Sequence, residues 1–118
     1  MQLSEVDYGA GTPIEAYGPA GFRIGGRLHA GPVLVMPGGP FAWSGVEDTQ
    51  AILAHQGAID VVLVGTGREI APVPEPFRVT LETAGIGVDL MGSGSACRTY
   101  NVLLGEGRRI GVALLPIG

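Results

Sequence analysis

The sequence predicts an α/β fold, a mixed and mostly parallel sheet with helices on both faces, preceded by an N-terminal β-hairpin element. Three observations carry this expectation. Residues 32–36 and, after its first residue, 60–64 are apolar on consecutive positions, which is the pattern of strands covered on both faces, and 88–91 and 109–115 read as two further short strands. Stretches with helical spacing of apolar residues alternate with them, and such alternation is how a parallel sheet with crossover helices is written in a chain. The first thirty residues instead hold only brief runs broken by glycine and proline. A length of 118 residues then implies one domain, 1–118, with a single core.

Taken in order, residues 1–13 end in Gly-Ala-Gly-Thr-Pro and show no periodicity, so residues 1–12 are expected to be a loose arm. From Ile14 to His29, three short runs are separated by Gly-Pro-Ala-Gly and Gly-Gly, the punctuation of antiparallel hairpins with tight turns. The strand at 32–36 runs into Pro37-Gly-Gly-Pro-Phe-Ala-Trp-Ser-Gly, where two prolines and three glycines predict irregular backbone. A helix is expected over 46–56, stopped by Gly57. The strand at 60–64 enters the turn Gly65-Thr66-Gly67, and a second helix follows over 75–84, with Phe77, Val79, Leu81 and Ala84 as core contacts. The strand at 88–91, a third helix over 95–104 and the strand at 109–115 close the chain. If the strands ending at Met36, Val64 and Met91 are parallel, their ends gather at one edge of the sheet, where a ligand would sit.

Composition removes several function classes. The formal charge is -4 and no Lys/Arg cluster interrupts it, so a nucleic-acid backbone would meet net repulsion. One cysteine allows no internal disulfide, and His29 and His55 lack zinc-ligand spacing; no metal and no cofactor is expected. The first residues show neither a basic start nor an apolar run, and no run approaches the roughly 20 apolar residues of a membrane helix. A cytoplasmic protein without membrane insertion is the expectation.

The richest segment is Gly92-Ser-Gly-Ser-Ala-Cys-Arg-Thr-Tyr-Asn, residues 92–101. It approaches the dinucleotide fingerprint, in which glycines let a pyrophosphate reach the backbone, but Cys97 stands where the third small residue belongs. No acidic residue follows on the next strand. Gly65-Thr66-Gly67 lacks the Lys-Ser/Thr of a phosphate-binding loop, which favours a close-packed turn. On a helix from Ser95, about 100° per residue places Ala96, Tyr100, Leu103 and Leu104 on one stripe, with Arg98 and Asn101 together off it. Cys97 lies at the margin within the first turn, where the helix dipole favours a thiolate if the sulfur meets water. A half-buried structural cysteine is the favoured reading, since free cysteines are usually buried. Arg98 fits either a ligand anion or an internal clamp to Glu106, Asp89 or a helix end, with the clamp favoured. Arg108 and Arg109 should point to opposite faces of the last strand, so at most one would join a site.

Ala96-Cys-Arg-Thr-Tyr-Asn-Val-Leu, Glu106-Gly-Arg and Val112-Ala-Leu-Leu-Pro, with Val64-Gly-Thr-Gly, Trp43 and the hairpin 14–24, resemble the Mth-938-like domain family over about residues 12–116. The resemblance implies a three-layer domain with an added N-terminal β element. It implies no reaction; its one functional link, through mitochondrial members, is assembly of respiratory complex I with a partner protein. The positions resembling the shared pattern are Trp43, Gly65, Thr66, Gly67, Ala96, Arg98, Thr99, Asn101 and Arg108.

The expected function is therefore a non-enzymatic interaction or assembly module with another protein as partner. The alternative is a small-molecule binder or enzyme with a pocket at the turns 65–67 and 92–95. Candidate ligand or partner contacts are Trp43, Gly65, Thr66, Gly67, Ser95, Cys97, Arg98, Asn101 and Arg108, with no catalytic set.

Overall fold

The computed structural model describes residues 11–118, so most of the expected N-terminal arm, residues 1–10, lies outside the described residues. β1 (Ile14–Gly18), β2 (Gly21–Ile24) and β3 (Arg27–His29) form the expected antiparallel meander. Its second turn is Gly25-Gly26, with φ of 59° and 77°. Two positive φ values in a two-residue loop match the twist of the flanking strands, and glycine adopts them without a Cβ clash.

The second sheet has the order β5-β4-β8-β6-β7, from β4 (Val33–Met36), β5 (Gly39–Ala42), β6 (Val61–Gly65), β7 (Gly87–Met91) and β8 (Ile110–Leu114). β8, β6 and β7 are mutually parallel, whereas β4 runs antiparallel to β8 and to β5. The sheet is mixed, as expected. Because β4 is reversed, Met36 ends at the opposite edge from Val64 and Met91, so the three strand ends do not gather at one place.

Alternation along the central strands builds two cores. Val33, Val35, Leu63, Val112 and Leu114 face α3 (Ser93–Gly105) and the meander, where Phe22, Ile24, Ala96 and Tyr100 pack on them. Leu34, Met36, Val62, Val64 and Ala113 face the other way, onto α1 (Gln50–Leu53) and α2 (Glu75–Thr83) through Ile52, Phe77 and Leu81. Each strand thus feeds both layers, which explains why its sequence is apolar at every position.

Four local expectations are corrected. The helix expected over 46–56 contracts to one turn, because Asp48 Oδ1 accepts from Ala51 N at 3.2 Å and Oδ2 from Ser44 N at 3.2 Å, fixing the chain as a loop before Thr49. The glycine- and proline-rich 37–45 loop contains a strand, β5, since Pro40 sits on an edge strand where a missing N–H is tolerated. Val79 on α2 is 49% exposed rather than core. α3 starts at Ser93, two residues earlier than its apolar stripe suggests.

Candidate functional site

The two ends of the parallel strands differ. At the carboxyl end, where β6 and β7 run into the turns 65–67 and 92–95, the backbone is packed against itself. Ser93, fully buried, donates through Oγ to Leu115 O at 2.7 Å and accepts from Gly67 N at 2.9 Å. Its own N–H donates to Gly67 O at 2.7 Å, and Leu115 N donates to Gly65 O at 2.9 Å. A Cβ on Gly65 would lie 2.8 Å from Ser93 Cα, so only glycine lets α3 approach β6 this closely. Thr66 Oγ1 donates to Glu69 O at 2.9 Å and accepts from Ala71 N at 2.8 Å, shaping the loop 66–71. That loop brings Arg68 O to 3.3 Å from where a Gly92 Cβ would stand, and the Tyr17 ring covers Gly94 in the same way at 3.0 Å. The turn 65–67 is thus hydrogen-bonded internally, and the protein's own loop and ring pack against Gly92 and Gly94.

Further along α3 the polar side chains clamp the meander. Asn101 accepts from Ile14 N through Oδ1 at 2.9 Å and donates through Nδ2 to Ile14 O at 2.8 Å, pairing with β1 as another strand would. Tyr100, buried within the core stripe, donates its hydroxyl to Thr12 O at 3.0 Å. Residues 12 and 14 are therefore held by one helix face. Arg98 is exposed; it donates to the Tyr17 hydroxyl through Nη1 and to Ser95 Oγ through Nη2 at 3.2 Å, and its guanidinium lies 5.7 Å from the Tyr17 ring centre. It makes surface contacts with Tyr17 and Ser95 in place of the internal clamp expected with Glu106, Asp89 or a helix end.

Cys97 is 1% exposed. Two effects oppose each other there: burial disfavours the thiolate, while the Arg98 charge and a backbone hydrogen bond favour it. Burial wins, and the thiol is pushed up to about 12. A sulfur in that state is not a nucleophile at neutral pH. Trp43 is buried in the other core and donates Nε1–H to Asp48 O at 3.0 Å. It stands in the layer opposite to α3, apart from Arg98 and Asn101.

The amino end of the parallel strands is open. A concavity of about 200 Å³ is floored by Val61, Leu63, Leu103 and Ile110 and rimmed by Asp60, Asp89, Arg108 and Arg109. Two features place these residues. α3 ends in a Schellman motif, with Gly107 at φ 80°, Gly107 N donating to Leu104 O and Arg108 N donating to Leu103 O, both at 3.0 Å. Leu63 and Asp89 are register partners on β6 and β7, so the Asp89 side chain shares the face of Leu63. Arg109 Nε lies 3.6 Å from Asp60 Oδ2, and Arg109 Nη2 donates to Gly57 O at 2.8 Å. Among the described residues neither Asp89 nor Arg108 has an ion-pair partner. Arg108 and Arg109 both line the concavity, contrary to expectation, because β8 begins only at Ile110 and the residues before it do not alternate as a strand. Arg108 thus lies at the end of the sheet away from 65–67. Asp60 was not singled out in the sequence, and Asp89 only as a possible partner of Arg98; isolated acids carry no motif, and only the pairing of β6 with β7 brings them to one rim.

Solved structures define the class. The fold is similar to the solution structure of a Bordetella pertussis protein described as a Mth938-like domain, at 26% identity and TM-score 0.80 over 100% of this chain and 94% of that one. It is also similar to the crystal structure of a protein described as an outer membrane protein from Bartonella henselae, at 36% identity and TM-score 0.83 over 92% and 98% of the two chains. The three-layer sheet with its clamped meander is a Mth938-like domain. By sequence the chain belongs to the DUF498/DUF598 family, described as proteins of unknown function, whose pattern matches residues 14–115. An uncharacterised protein of Rhodobacter capsulatus is 42% identical over 99% of this chain and 94% of its own length. Proteins named NADH dehydrogenase [ubiquinone] 1 alpha subcomplex assembly factor 3 are 29% identical in Danio rerio and 30% in Homo sapiens, over 98% and 87% of this chain. The chain spans 71% of the fish relative and 60% of the human one. No helix among the described residues is long and apolar enough to cross a membrane, and no group of ligand side chains there could hold a metal ion.

Proposed function

We propose that this chain is a single-domain, non-enzymatic interaction module acting in the cytoplasm in the assembly of a respiratory NADH dehydrogenase. The observation that carries the reading is the likeness, over 98% of the chain, to a protein named as an assembly factor of that enzyme. The site geometry supports it: Ser93, Asn101, Tyr100 and Trp43 spend their polar atoms on internal hydrogen bonds, and the thiol of Cys97 is buried and protonated. A lone free cysteine suits a reducing compartment. The alternative, a small-molecule pocket at the turns 65–67 and 92–95, has Ser93, Tyr17 and the loop 66–71 filling that space.

The test is isolation of a tagged chain at native expression from its own host. Co-isolation with NADH dehydrogenase subunits, together with a reduced level of the assembled enzyme when the gene is deleted, is the expected result. A chain that runs alone, in a host whose deletion strain assembles the enzyme at the parental level, overturns the reading.

A further inference from the structure

We infer that the open edge of β7 is the docking strand for an extended segment of a partner protein that presents one basic side chain opposite Asp89. The inference rests on the reading of the chain as an interaction module and names the surface that such a module would use.

β7 is the last strand of its sheet, with β6 on one side and no strand on the other among the described residues. Gly87 N donates to Asp60 O and Met91 O accepts from Thr66 N, so the polar groups of residues 87 and 91 turn toward β6. Alternation gives Asp89 the same direction and leaves the N–H and C=O groups of Val88 and Leu90 facing outward. That is an acceptor and donor pattern ready for one more strand, and strand addition of this kind is a common way to bind an extended peptide.

The other edge of the sheet is guarded. β5 carries Pro40, which has no N–H to give to a further strand. β7 has no proline; its one polar side chain is Asp89, which rims the concavity over Leu63 and Leu103.

Asp89 also chooses the occupant. A second copy pairing antiparallel in the register that uses all five residues of β7 would set Asp89 against Asp89, and like charges directly opposite are unfavourable. A different chain avoids this with Lys or Arg at that position. Because Asp89 points its backbone inward, an antiparallel partner meets it as a non-hydrogen-bonded pair, with Cα atoms about 4.5 Å apart and side chains at their closest. Asp60 is already engaged by Arg109, and Arg108 sits on the same rim, so a polybasic run is disfavoured. The segment that fits has a single cation at the Asp89 register and an apolar neighbour on the same face, over Leu63 and Leu103.

The experiment is a titration of the isotope-labelled full chain, followed by amide NMR, with two end-blocked seven-residue Val/Thr peptides carrying either Lys or Glu at the centre. The Lys peptide is expected to shift the amides of Val88 and Leu90, and the Glu peptide to bind about three- to fivefold more weakly. In the Asp89→Lys variant the preference should invert; its unperturbed spectrum away from β7 shows that it folds. Equal affinity for both peptides, shifts confined to other elements, or no response to either peptide overturns the inference. Co-isolation from the host separates the two levels. A complex that survives Asp89→Lys leaves the assembly reading standing and removes β7 as its surface, whereas loss of every wild-type complex removes the assembly reading and leaves the peptide titration to judge the edge.

Discussion

The carboxyl and amino ends of the parallel strands differ in what glycine does for them. At the carboxyl end, Gly65, Gly92 and Gly94 remove side chains so that β6, α3, the loop 66–71 and Tyr17 can close on one another. Ser93, Thr66 and the Gly67 and Leu115 backbone then find internal partners. At the amino end, Gly107 instead turns the chain out of α3 and leaves Arg108 and Arg109 beside an open concavity. A glycine-rich motif thus marks the packed end of this molecule, and the end that remains available for recognition has no motif at all.

Substitutions can break that contrast. The largest effect is expected for Gly65→Ala, whose Cβ would press on Ser93 Cα, a backbone atom that cannot step aside; a loss of about 3 kcal/mol in chemical denaturation is expected, as for overpacked cores. A loss below about 0.5 kcal/mol would mean that α3 slides freely over β6. Ser93→Ala follows at about 2 kcal/mol, because Gly67 N and Leu115 O lose their shared partner in a buried place. At the open end, Arg108→Ala and Asp89→Asn should each stay within about 0.5 kcal/mol of the parent, the range of surface changes that touch no buried network. A large cost there would show that the rim is structural.

Alkali probes the α3 layer differently. The Cys97 thiol is raised from its ordinary 9.0 to about 12, and burial raises the Tyr100 phenol as well. Both groups are neutral in the folded state at pH values where the unfolded chain has begun to ionise. Their contribution to stability is therefore full below about 9 and is lost as pH climbs toward about 12. Urea midpoints measured across that window should fall, and Cys97→Ala should fall less steeply. A parallel fall in both proteins would place the loss elsewhere.

Much of the fold was legible because its strands are buried on both faces. Continuous apolar runs located β4, β6 and β8, the shorter run around Asp89 located β7, and the Gly-Gly turn located the meander. The contraction of α1 was not legible, since it depends on the Asp48 carboxylate reaching back to Ser44 and forward to Ala51, a competition that apolar spacing does not record. Strand β5 was hidden by Pro40, whose meaning changes once the strand is known to lie at an edge. Among the candidate site residues, the pairing of Arg98 and Asn101 on one side of α3 followed from helical geometry. Their partners, Tyr17 and Ile14, come from the other end of the chain and could not be read from spacing. Ser93 carried no signal in the sequence, since its burial depends on Gly65 opposite it, a contact that spacing does not record.

The clamp of Asn101 on Ile14 joins residues separated by 87 positions. During synthesis the meander leaves the ribosome first, yet the helix that holds it is made almost last. Contacts of such long separation are formed slowly, since loop closure must precede any gain. The expected order is therefore that α3 settles on β6 and β8 before it takes hold of the meander, whose attachment would complete folding rather than begin it.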